Sequence, residues 1–242
     1  MPVSAKRIKL LYDRLYAAYG PQGWWPVRGP RGVCDAQGYH PGDYSLPDTP
    51  GGRFEVAVGA VLTQNTAWTN VRRAHARLRE ARLLSPRKML IADMAALRAA
   101  IRSSGYFNEK AKKLKGLAAL LEKEGWLKGD APIDRDRLLA AWGIGPETAD
   151  SILLYAFRRP FFVVDAYTRR LLVRLGWIEE GVSYDDIQKI FHGRSPRRAA
   201  SYNEFHALIV AHAKAHCRKR PACVGCPLLR MCRCGRDRLT GK

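Results

Sequence analysis

Four cysteines near the end of the sequence have the spacing of a ligand set. Cys217-RKRPA-Cys223-VG-Cys226-PLLRM-Cys232 places four thiols within 16 residues. Thiolates this dense can surround one zinc ion or an iron–sulfur cluster. Zinc sites more often use two CxxC pairs; one CxxC flanked by single cysteines at wider spacing favours a cubane cluster over zinc. Seven Lys and Arg residues lie between Arg218 and Arg238, so a closed metal loop would also present cations to phosphates. Cys34 reads as a buried thiol, and Cys234 is close enough to substitute as a ligand.

A second candidate is GIGPETAD, Gly143 to Asp150, inside sequence that otherwise has helical periodicity. Glycine tolerates positive φ and lets another backbone approach closely, and Pro146 suits the first turn of the next helix. Two glycines and that first turn would expose backbone N–H groups to a phosphate, although a tight turn between packed helices would need the same residues. Gly143, Gly145 and Thr148 are the candidate phosphate contacts. Asp165 in VVDAYTRR stands at a helix start, where a carboxylate is favoured by the helix dipole and where aspartate is also the ordinary N-cap. Trp24 and Trp25 sit in a stretch, Gly20 to Gly52, that holds eight of the 21 glycines and six of the 14 prolines. Adjacent tryptophans there argue against plain disorder, and a long loop of this kind is usually functional.

The elements that must position these residues read as helices. AKRIKLLYDRLYAAY aligns Ile8, Leu11, Leu15 and Tyr19 on one face, with Gly20-Pro21 as its stop. FEVAVGAVL is apolar enough to be a buried helix, and AWTNVRRAHARLREARL is amphipathic. Ser85, Asp93, Asn108, Asp134, Asp165 and Ser183 read as N-caps, and a last long helix runs from about Arg198 to Cys217. FFVV is the one β-like run, explained equally well as a buried connector. The expected fold is therefore all-α.

Composition limits the partners. The 242 residues suffice for one large domain or two small ones, and 47% hydrophobic content excludes disorder throughout. Lys and Arg number 42 against 22 Asp and Glu, a formal charge of +20, which would concentrate a polyanion; nucleic acid is the leading partner. No apolar run reaches the length of a membrane span and no signal-peptide layout opens the sequence, so the expectation is an intracellular, nucleoid-associated protein without a membrane partner.

GIGPETAD, VVDAYTRRLL and the four-cysteine loop together resemble the endonuclease III group of helix-hairpin-helix DNA glycosylases with a [4Fe-4S] cluster, over roughly residues 54 to 232. The resemblance implies two helical domains with a DNA-binding cleft between them: 54–164 as a central bundle ending in the hairpin, and 1–53 plus 165–242 carrying the cluster on Cys217, Cys223, Cys226 and Cys232. It implies Asp165 as the catalytic carboxylate and Gln64, in VLTQNT, as the residue that fills the gap left by an extruded base. Bifunctional members have lysine where this chain has Glu147. A carboxylate cannot form the imine needed for strand cleavage, which implies a monofunctional glycosylase acting as a monomer on duplex DNA. The first cysteine interval is five residues against six usual in the family. YGPQGWWP, with LTQNTAW, looks like the 3-methyladenine glycosylase III branch, in which the tandem tryptophans form the base pocket; that implies Trp24 and Trp25 there and an alkylated purine as substrate. Two alternatives are a bifunctional oxidised-pyrimidine enzyme using another lysine and a DNA-damage-binding protein without catalysis.

Overall fold

Capping side chains set most of the helix starts. The computed structural model describes residues 3–27, 34–129, 131–193, 195 and 197–240; positions 28–33 of the glycine- and proline-rich stretch, and 1, 2, 130, 194, 196, 241 and 242 of the expected domains, lie outside them. Among the described residues there are twelve α-helices and no strand: α1 (Ala5–Tyr19), α2 (Pro50–Leu62), α3 (Trp68–Glu80), α4 (Pro86–Ile91), α5 (Met94–Ile101), α6 (Phe107–Lys123), α7 (Arg135–Ala140), α8 (Pro146–Ser151), α9 (Ala166–Leu175), α10 (Tyr184–His192), α11 (Ala199–Ala215) and α12 (Arg233–Thr240). Ser4, Thr49, Ser85, Asp93, Asp134, Asp165 and Ser183 each accept a first-turn N–H through the side chain, satisfying donors a helix start otherwise leaves open. Asn108 is not a cap. Tyr106, with φ 46°, occupies the cap position of α6, because the preceding 3-10 turn Arg102–Ser104 and Gly105 at φ 68° carry the chain round two residues early.

The chain divides into two compact units: Met1–Pro26, Tyr39–Tyr44 and Arg159–Lys242 form the first, Val27–Gly38 and Ser45–Arg158 the second. In the first, α1 and α9 pack on α11, and α12 packs on α9. Its core is aromatic: Phe162 stacks on Phe191 with ring centroids 3.6 Å apart, and Tyr202 and Phe205 meet Phe162 edge-on. Truncating Phe162 to alanine would cost about 3–5 kcal/mol. The FFVV run is the extended, buried connector that leads to Asp165, with Phe162, Val163 and Val164 all buried.

In the second unit α2 is the central element. Every residue from Val56 to Leu62 is buried, and the helix packs against α3, α6, α8 and a π-helical turn, Ile152–Ala156, that continues α8. No described helix is long and apolar enough to cross a membrane. Cys34, expected to be buried, is only partly so.

Candidate active site

Asp165 terminates the extended connector and caps α9 with φ −93° and ψ 179°. Its Oδ1 accepts from the Thr168 N–H at 2.7 Å. Its Oδ2 lies 3.5 Å from His206 Nε2, with the two side chains 13% and 8% exposed. Burial alone would raise this carboxyl; His206 and the hydrogen bond from Thr168 outweigh it and hold Asp165 below the usual carboxylate range. The result is an anion kept ionised while mostly removed from water, the state in which a fixed charge acts most strongly on a developing cation. His206 was not legible as a partner, but a signal existed: Asn203, Glu204 and His206 interrupt an otherwise apolar helix, and all three are buried.

The tryptophan segment is fastened to the same unit. The Glu204 carboxylate accepts from the Gln22 N–H at 2.9 Å and the Tyr44 hydroxyl at 2.7 Å, while burial pushes its own pKa up. The buried His40 ring contacts the Trp25 carbonyl at 2.8 Å and the Asp43 carbonyl at 2.6 Å. Trp25 is only 5% exposed and is core. Trp24 is half-buried, tilted against Trp25 with centroids 4.9 Å apart and against Tyr39 at 6.0 Å. Of the tandem, Trp24 is the ring with a surface to offer.

Cys217, Cys223, Cys226 and Cys232 line one cavity with Cys234, Leu171, and Leu228. Arg174 donates to Cys217 Sγ at 3.2 Å, and the Gly235 N–H donates to Cys232 Sγ at 3.4 Å. Donors aimed at sulfur stabilise thiolate, and apolar walls shield it, so this donor set fits a thiolate-bound cluster. Among the described residues no group of three or more His, Cys, Asp or Glu is arranged to hold a single metal ion.

The hairpin belongs to the second unit. Arg135 of α7 makes a two-pronged pair with the fully buried Asp150 of α8, at 2.7 and 3.0 Å, which fixes the two short helices against each other. Gly143 has φ 77°, as a hairpin glycine should. Gly145 does not: it caps α8 in extended conformation, φ −90° and ψ 177°, and a Cβ there would meet nothing within 4 Å. The fold therefore requires glycine at 143 and leaves open space at 145. Glu147 is exposed in the first turn of α8. Thr148 is buried, and its hydroxyl accepts from Gln64 Nε2 at 2.9 Å; the structure thus joins Gln64 to Gly143 and Thr148. Lys110 and Lys113 of α6 meet the same corner: Lys113 donates to the Gln64 side-chain oxygen, and Lys110 is buried and donates to the Leu62 and Ser104 carbonyls at 2.8 and 2.7 Å.

The family model described as HhH-GPD superfamily base excision DNA repair protein matches residues 58–197. A provisionally named DNA repair glycosylase of Methanocaldococcus jannaschii is 42% identical over 229 residues, 92% of this chain and 94% of that protein. An endonuclease III of Sulfolobus acidocaldarius is 31% identical across 74% of this chain and 81% of its own length. Among solved structures, the H. pylori 3-methyladenine DNA glycosylase bound to 1,N6-ethenoadenine is similar with a TM-score of 0.66 and 27% identity, over 88% of this chain and 98% of that one. An endonuclease III–DNA complex shares the fold at a TM-score of 0.78 and 24% identity, over 98% and 99% of the two chains.

Proposed function

The chain belongs to the HhH-GPD superfamily of base excision DNA repair proteins and is a DNA glycosylase, and from that premise we propose that it is monofunctional and removes alkylated purines from duplex DNA. The target nucleotide leaves the stack, as glycosylases require. Cleavage of the base–sugar bond develops positive charge on the sugar; the Asp165 carboxylate stabilises that cation and assists attack by water. Trp24 offers an indole face to the base, and an alkylated purine that carries positive charge gains about 0.5–2 kcal/mol from such a face. Gln64 fills the vacated position, and the hairpin at Gly143–Gly145 grips the strand. Cys217, Cys223, Cys226 and Cys232 would hold a [4Fe-4S] cluster, which would brace the cationic loop around it. The enzyme acts as a monomer.

The observation that carries this reading is Glu147, an exposed carboxylate at the hairpin helix start where an imine-forming amine would be needed for strand cleavage. The purine preference is supported by YGPQGWWP and by the modified purine bound to the H. pylori relative. The rival, bifunctional reading needs another lysine, and Lys214, two turns beyond His206 on α11, is exposed and acts electrostatically on Asp165. Alkylated, oxidised and deaminated duplexes, scored separately for base release and nicking with borohydride present, distinguish the two. Release from alkylated purines without nicking or a trapped adduct is expected; a covalent protein–DNA adduct would overturn monofunctionality, and preferential release of an oxidised pyrimidine would overturn the substrate.

A further inference from the structure

The amide of Gln64 is held from three sides. Lys113 Nζ donates to its Oε1 at 2.7 Å, while its Nε2 donates to the Gly143 carbonyl at 3.1 Å and to Thr148 Oγ1 at 2.9 Å. An ammonium group only donates and a peptide oxygen only accepts, so this amide has a single orientation. Lys113 reaches it by passing across Gly143: a Cβ on that residue would stand 2.4 Å from Lys113 Cε. The hairpin glycine therefore does more than turn the chain; it leaves the path by which α6 touches Gln64. One helical turn earlier on the same face of α6, the Lys110 amine pins the last carbonyl of α2, Leu62, two residues before Gln64. Two lysines thus fasten the end of α2 and the residue beyond it. A cavity beside them is lined by Gln64, Asn65, Tyr106, Lys113, Trp142 and Gly143.

We propose that Lys113 is a positioning residue that couples the hairpin to Gln64, so that seating the hairpin on a strand and filling the gap in the duplex occur as one event. This rests on the reading of Gln64 as the gap-filling residue. A lysine that only met a phosphate would act independently of Gln64 and would show in affinity and salt dependence; a coupling lysine acts through Gln64 and shows in the rate from bound complex.

Single-turnover base release at saturating damaged duplex, with duplex affinity measured across salt concentrations, tests this for Gln64→Ala, Lys113→Met and the double variant. Lys113→Gln repeats the series should the methionine variant not fold. Each single change is expected to slow release about tenfold, and the double by no more than the slower single, as for residues acting as one unit. Affinity should stay within about twofold and the salt slope unchanged. Losses that multiply to about a hundredfold, or a Lys113 defect confined to affinity with a slope shallower by about one, would overturn the coupling while leaving the Gln64 reading intact. Normal release by Gln64→Ala would remove that reading, and the coupling with it.

Discussion

Asp165 combines conditions that ordinarily compete. A carboxylate taken out of water protonates more readily, yet this one is held below its usual range because His206 and the Thr168 N–H favour the anion. From α11 both His206 and Lys214 act on it electrostatically. The sign follows: the anion's contribution to stability is present above the ordinary carboxylate pKa and is lost only as pH falls through the lower folded value. Base release should accordingly keep its carboxylate through mildly acidic conditions. Replacing His206 by asparagine leaves the Thr168 hydrogen bond to offset burial without the imidazole, so the acid limb of the pH–rate profile should move to higher pH. An unmoved limb would show that His206 does not sustain the anion.

At the scale of elements, the two hairpin glycines have separate roles and should separate in experiment. Gly143→Ala places a Cβ at φ 77° and into the Lys113 stem, so it should destabilise the protein by about 1–3 kcal/mol and disturb Gln64. Gly145→Ala meets open space at an extended φ and should leave the melting temperature unchanged while weakening duplex binding, if a strand lies close against that position. Equal melting temperatures for the two variants would contradict this division. The sequence exposed the helices well because their signals are local: Ser85-Pro86, Asp93, Asp134 and Ser183 cap as their types and positions require. It misplaced the start of α6 because the turn through Gly105 and Tyr106, not the side chain of Asn108, sets that boundary. The partners of the site residues were hidden for a different reason. His206 is 41 positions from Asp165 and Lys113 is 49 from Gln64, and neither pairing leaves a trace in spacing or periodicity.

For the molecule as a whole, the excess of 42 basic over 22 acidic side chains is legible from composition, and its consequence is electrostatic capture of DNA. About six neutralised phosphates imply a log–log slope of affinity against salt near −5, measurable on undamaged duplex; a slope near zero would leave the charge without that role. The first unit holds Asp165, His206 and Trp24, and the second holds the hairpin, Gln64 and Lys113. The account depends most on the carboxylate. Its most direct test is single-turnover base release from a duplex carrying an alkylated purine, comparing the wild-type protein with Asp165→Asn under conditions that saturate binding. A loss of about 10²–10³-fold or more with duplex affinity retained is predicted; release at the wild-type rate would contradict the mechanism.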